Sequence, residues 1–215
     1  AMLGYKLDFK TLVLDARRYF RVSRLYTFAF RAMGGFSLGA NPQRFFLGGT
    51  QNWLFGTGYT NGERDGSRWN NDQDANIWDS GTGNYLKDLY FSIFVLPVRG
   101  ARLVEKHGTK VILTNYEFRF PFVNYLALGF PLRVILGNIQ GVLFADAGAA
   151  WDDKFSFIST NNITGVREFD NFISSYGFGL RLNIGYTIIR LDAAKDYTMQ
   201  GSSKWQYYIS LGTDL

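Results

Sequence analysis

Between Tyr176 and Tyr186 the chain alternates without a break. Tyr176, Phe178, Leu180, Leu182, Ile184 and Tyr186 are large and apolar, and the residues between them are Gly177, Gly179, Arg181, Asn183 and Gly185. A period of two puts successive side chains on opposite faces of a β-strand, so this stretch reads as a strand with one apolar face and one face of glycine and polar groups. The rhythm recurs. Tyr26, Phe28, Phe30, Ala32, Gly34 and Phe36 oppose Thr27, Ala29, Arg31 and Gly35. Ile112, Thr114, Tyr116, Phe118 and Phe120 oppose Val111, Leu113, Asn115, Glu117 and Arg119. Leu143, Ala145, Ala147, Ala149 and Trp151 oppose Gln140, Val142, Phe144, Asp146 and Gly148. Ile189, Leu191 and Ala193 oppose Arg190, Asp192 and Ala194, and Trp205, Tyr207, Ile209, Leu211 and Leu215 oppose Gln206, Ser210, Gly212 and Asp214. At the start, Tyr5, Leu7, Phe9, Thr11 and Val13 alternate with Lys6, Asp8 and Lys10, and the phase is expected to slip near Leu14. A break at Ser23-Arg24 makes the first two strands a hairpin. Seven strands result, an all-β antiparallel chain.

Alternation alone does not say whether the apolar face turns inward to a core or outward to lipid, because a β-sandwich and a membrane barrel share the period. Two features favour lipid. Shorter connections (turns at 22–24 and 185–187 and a moderate one at 122–138) alternate with long ones (41–109, 152–174), as in outer-membrane barrels, where one end needs only turns and the other carries surface loops. The second face, with its arginines, acids, asparagines and glycines, suits a wet lumen better than the outside of a sandwich. Tyr and Trp recur near strand ends, like an interfacial girdle. With 47% hydrophobic and 18% aromatic residues, there is ample apolar surface for a lipid-facing wall. A net charge of +5 without any basic run gives nucleic acid no footprint. No cysteine is present, which removes disulfides and thiolate metal sites, and no apolar window is long enough for a spanning helix. The chain enters its first strand almost at once after Ala1, with no signal peptide, so a mature piece or an excised fragment is expected. Seven strands is an odd number for a bacterial single-chain barrel, which points to missing strands.

The stretch 41–109 is rich in Gly, Asn, Asp and Thr, with turn dipeptides at Gly48-Gly49, Asn61-Gly62, Asp65-Gly66 and Ser80-Gly81. A loop of this length should fold back on something, and Arg44-Phe45-Phe46-Leu47 and Tyr90-Phe91-Ser92-Ile93-Phe94-Val95 are the apolar segments that would do it. Asp72-Gln73-Asp74-Ala75-Asn76 has a calcium-loop cadence, but Ile77 and Gly83 stand where an EF-hand needs Gly and Glu, so it reads as solvated loop and no metal site is expected. His107 is the only histidine. No second motif turns it into a Ser-His catalytic site, and the carboxylates are interleaved with arginines that keep them ionised, so no catalytic residues are assigned.

Leu96-Pro97-Val98-Arg99-Gly100-Ala101 puts one arginine deep inside that connection, and the alternation puts Glu117, Asp146 and Arg181 on the polar face of the strands that follow. Glu117 and Asp146 can take the guanidinium in a two-pronged bond, pinning the loop to two strands; a plain charge network hydrating the lumen is the other reading of these three residues. A wet lumen would screen the orphaned acids, so losing Arg99 is expected to cost about 1 to 2 kcal/mol. Val98-Arg99-Gly100, then Asn115-Tyr116-Glu117-Phe118-Arg119-Phe120-Pro121, then Phe144-Ala145-Asp146-Ala147-Gly148-Ala149-Ala150-Trp151 resembles, in that order, the BamA-like outer-membrane assembly and secretion barrels. The likeness runs from Arg44 to Leu215 and takes in the Phe46-Leu47-Gly48-Gly49 approach, Tyr176 to Arg181, Arg190 to Ala194, and the closing Ile209 to Leu215. Ala101 stands where that family has Phe or Tyr, and Leu215 where it has a terminal aromatic. The resemblance implies the carboxy-terminal portion of a sixteen-stranded up-and-down transmembrane barrel: a hairpin at 1–40, a lumen loop at 41–109, and five strands at 110–215. It implies insertion of outer-membrane proteins or translocation of polypeptides, a bacterial outer-membrane location, lipid and client polypeptides as partners, accessory envelope proteins beside them, no cofactor, and a terminal signal that includes Gly212 and Leu215. A passive porin-like or structural barrel and a soluble β-sandwich binding module are the alternatives.

Overall fold

A computed structural model describes residues 8–56, 93–101, 105–123, 139–160, 165–183 and 187–212. In chain order the strands are β1 (Phe9–Arg21), β2 (Thr27–Gly39), β3 (Phe45–Leu47), β4 (Trp53–Gly56), β5 (Ile93–Leu96), β6 (Lys106–Gly108) and β7 (Lys110–Val123), then β8 (Ile139–Trp151), β9 (Ile158–Thr160), β10 (Arg167–Phe169), β11 (Phe172–Asn183), β12 (Ile188–Thr198), β13 (Gly201–Ser202) and β14 (Gln206–Gly212). Seven of them, β1, β2, β7, β8, β11, β12 and β14, form an antiparallel meander in that order, and these are the seven strands that the alternation predicts. β4 adds to the outer edge of β14, and β13 pairs with the end of β12. The sheet does not close on itself among the described residues: β1 and β4 are its two edges.

The two faces separate as the period requires. Phe28, Tyr116, Leu143, Tyr176, Phe178, Tyr207 and Ile209 point outward and are exposed, while Arg31, Asn115, Glu117, Asp146, Arg181, Asp192 and Ser210 point inward and are buried. The phase slip expected near Leu14 does not occur. β1 pairs with β2 in unbroken register from Phe9↔Gly39 to Arg21↔Thr27, which puts Leu12, Leu14 and Phe20 in the outward row and Val13, Asp15 and Arg17 in the inward one. What changes at Leu14 is the chemistry of the inward row, apolar before it and charged after it.

The inner wall has two levels. Near the start of β7 and the end of β8 it carries Val111, Leu113, Ala150 and, from β2 and β11, Met33 and Ile173; further along it carries Asn115, Glu117, Arg119 and Asp146. The described ends of the connection from β2 to β7 sit on the apolar level. There β3 pairs parallel to β5 and antiparallel to β6, a three-stranded sheet that folds the two ends of the 41–109 stretch together. Phe45, Leu47, Leu96, Val98 and Ala101 from this small sheet and its exit turn join Val111, Leu113, Met33, Ala150 and Ile173 in one buried cluster. Leu47 presses so closely on β8 that a Cβ at Gly148 would stand 2.9 Å from its Cδ2. The wall under the loop is therefore dry where a wet lumen was expected. The long connection 152–174 also holds a small hairpin, β9 with β10, and β11 begins at Phe172. The Asp72–Asn76 run and Leu215 lie outside the described residues.

Candidate functional site

The turn after β5 is built to present one side chain. The Ala101 amide donates to the Val98 carbonyl at 3.2 Å, closing a four-residue turn, and Gly100 at its third position has φ +87°. Positive φ at that position is the type II requirement, which glycine meets without strain. Space demands glycine too, since a Cβ at Gly100 would lie 3.0 Å from the Ala194 side chain and from the Lys195 backbone on β12. Val98, bridged to Gly49, is fully buried and anchors the turn. Arg99 is left at its second position, aimed at the wall.

There its guanidinium meets two carboxylates. Nε and Nη2 donate to the Asp146 oxygens at 2.7 and 2.8 Å, the planar fork on a single carboxylate. Nη1 donates to Glu117 at 2.5 Å, and the Arg99 backbone amide donates to Asp146 at 3.1 Å. The Phe144 ring lies beneath, 3.7 Å from the guanidinium carbon. The side chains of Arg99, Asp146 and Glu117 keep 7%, 0% and 2% of their accessible surface, so these charges sit out of water. Burial by itself would lower the Arg99 pKa; the Asp146 and Glu117 carboxylates outweigh it and hold the pKa above its ordinary value.

The network extends beyond the residues that the sequence singled out. Glu117 also accepts from Arg119 (3.0 and 2.8 Å) and from Arg181 (3.5 Å). Arg181 makes its shorter bond to Asp192, at 2.6 Å. Asn115, opposite Asp146 in the ladder, donates to Asp146 at 2.9 Å and to the Pro97 carbonyl at 3.0 Å, a second tie between wall and loop. Asn115, Arg119, Phe144 and Asp192 thus belong to the site as much as Glu117, Asp146 and Arg181. Their signal was the spacing: Asn115, Glu117 and Arg119 lie two apart on β7, and Phe144 and Asp146 two apart on β8, which puts each set on one face.

Other sequence candidates lie elsewhere. His107 is on β6, where Nδ1 is 3.0 Å from Arg44 Nη1 and the ring packs edge-on against Phe46, so it helps hold the small sheet together. Gly212 is at the end of β14, beside the Arg190 guanidinium, and makes no part of the Arg99 hydrogen-bond network. No group of three or more potential metal ligands occurs among the described residues.

Residues 102–214, which hold all five carboxy-terminal strands of the meander, match the Omp85 superfamily domain. The chain belongs to the Omp85 superfamily. A comparison with curated proteins gave no match. The matched stretch of this Omp85 chain carries Glu117, Asp146, Arg181 and Gly212, and begins directly after the turn that bears Arg99. Omp85 proteins are bacterial outer-membrane proteins, so the exposed outward row of Phe28, Tyr116, Phe178 and Tyr207 is a lipid-facing surface, which is incompatible with a soluble sandwich. Members of the superfamily are non-enzymatic transporters or insertases that work on outer-membrane clients together with accessory proteins.

Proposed function

We propose that this chain is the carboxy-terminal part of an outer-membrane barrel of the BamA-like kind, which inserts outer-membrane proteins or translocates polypeptides. In this reading 1–40 is a wall hairpin, 41–109 is a lumen loop, 110–215 is the terminal wall, and Arg99 pins the loop to Glu117 and Asp146. The observation that supports it best is the seating of the Arg99 turn: a fork onto Asp146, a bond to Glu117 and an apolar cluster around Phe45 and Leu47 hold the connection against the inner wall. A wall occluded in this way argues against a passive pore. Gly212 and Leu215 are assigned to a terminal signal read by the cell's assembly machinery.

The test is client insertion into vesicles by the parent protein, measured beside ion conductance. The Arg99→Ala variant is expected to keep its barrel, seen as heat-modifiable migration, and to lose most client insertion. His107→Ala is expected to insert clients normally. Full client insertion by Arg99→Ala would remove the pinned loop from the mechanism, and steady conductance with no client insertion by the unaltered protein would mark a porin-like barrel.

A further inference from the structure

The connection from β8 to β11 packs its rings on the outer side of the wall, away from the Arg99 site. Trp151 closes the outward row of β8, Phe172 opens that of β11, and Tyr197 stands on that of β12, all three in phase with Leu143 and Phe178. Three phenylalanines of the connection lie against them. Phe155 meets Trp151 edge-on with ring centroids 5.2 Å apart, Phe157 lies 4.9 Å from Phe172, and Phe169 on β10 lies 5.3 Å from Phe172 and 6.3 Å from Tyr197. Phe157 links the other two, at 6.5 Å from Phe155 and 5.3 Å from Phe169. These are the separations of interacting rings. The backbone holds them in place: the Ser156 amide donates to Asn171 Oδ1 at 2.8 Å, the Asn171 amide donates to the Ser156 carbonyl at 3.1 Å, and the Asp170 amide donates to the Phe157 carbonyl at 3.2 Å. Gln200, in the turn after β12, donates its side-chain amide to the Arg167 carbonyl and ties down β10.

Stacking leaves the cluster half uncovered. Phe155, Phe157 and Ile158 keep 50%, 45% and 43% of their accessible surface, and contiguous apolar surface of this kind marks a contact face. Through Trp151, Phe172 and Tyr197 the patch is continuous with the outward row that meets lipid, so lipid is the partner it fits. Aromatic rings settle where hydrocarbon gives way to headgroups, and an element with one apolar side can lie in that layer. We propose that the described part of this connection is an interfacial anchor, whose aromatic side lies in the bilayer beyond the strand ends and fixes the height of the wall in the membrane. The long connections of outer-membrane barrels lie on the outside, which makes the outer leaflet its seat. The proposal rests on the outer-membrane location; client insertion and Arg99 do not enter it.

The 215-residue chain has no cysteine, so single nitroxide labels can be placed on it in a cysteine-free background of the parent protein, reconstituted in phosphatidylcholine vesicles. The measurement is collision with oxygen, which concentrates in lipid, against collision with a water-soluble nickel chelate. Labels on Phe155→Cys and Ile158→Cys are expected to favour oxygen severalfold, like a label on Phe178→Cys in the wall, while one on Asp153→Cys, exposed in the same connection, should favour the chelate. Ile158 lies outside the ring stack, so its label leaves the rings undisturbed. Adding Phe155→Ser and Phe157→Ser to Ile158→Cys should bring its ratio down to that of Asp153→Cys, with folding of the wall checked by heat-modifiable migration. Three results would each overturn the proposal: chelate preferred at both Phe155→Cys and Ile158→Cys, both reagents excluded there because protein covers the patch, or an unchanged ratio once the two rings are gone.

Discussion

Asp146 accepts from four donors, three of them on Arg99 and one on Asn115, and each donor lost leaves a buried carboxylate poorer. In this dry setting Arg99→Ala is expected to lower stability by about 3 to 5 kcal/mol. That is larger than a hydrated lumen allows, and the apolar cluster beside the turn is the reason. Lysine keeps the charge without the fork, so Arg99→Lys should loosen the loop nearly as much; proteolysis within 41–109 is the measure, and its combination with Asp146→Asn should be less than additive. Asn115→Ala strips one donor from Asp146 and one from the Pro97 carbonyl, and should cost about 1 to 3 kcal/mol in a denaturant titration. Gly179→Ala tests the Arg181–Asp192 pair, because a Cβ there would collide with the Asp192 carboxylate and reach within 2.9 Å of Arg181 Nη1. Glu117, Asp146 and Arg181 were legible because charge on the inward row of a strand is conspicuous, and Arg99 because an arginine inside a long connection needs partners; Arg119 and Asp192 carried the same inward-row signal and were not assigned to the site. Asn115 and Phe144 were not singled out, because a neutral amide and an aromatic ring on that row look like ordinary lining until the loop is in place.

At the scale of the strand, the outward row carries the energy of the wall. Leu180 and Leu182 lie on that row of β11, in register with Gly141 and Ile139 of β8 and with Leu191 and Ile189 of β12. Arginine at either position should destabilise the membrane-inserted protein by about 2 to 4 kcal/mol if it lies near mid-bilayer, whereas Asn183→Arg, on the inward row at the strand end, should be tolerated. Equal stability of the three variants in lipid would reverse the assignment of faces. The long strands were readable because each repeats its period over many residues. β3, β4, β5 and β6 were not, since three or four residues show no period and their partners are remote in sequence: Phe45 pairs with Ile93, and Ser210 with Trp53. Along β1 the period was present, but its chemistry changed part-way, and that change imitated a slip.

For the whole molecule the two edges of the sheet differ. β14 is partly covered by β4, through pairs at Tyr208, Ile209 and Ser210, while the far side of β1 has no hydrogen-bonded strand among the described residues. Unpaired amides in hydrocarbon cost several kcal/mol each, so the 215-residue chain by itself should dimerise, capture a strand or aggregate in detergent. A monomeric, heat-modifiable band on unboiled gels would contradict this. The split between the meander and the small sheet also sets an order in time. Most wall strands pair with a neighbour reached through a modest connection, but β2 must wait for β7, with Phe36 opposite Lys110, a wider separation than the one that brings β3 to β5 at Phe45 and Ile93. Loop closure grows costlier with separation, and contacts between distant segments form slowly. The five strands from β7 to β14 should therefore assemble first, and the small sheet, by joining the two ends of 41–109, shortens the loop that the β2–β7 seam has to close, so that the β1–β2 hairpin is the last part of the wall to be zipped on, over a loop already in its seat.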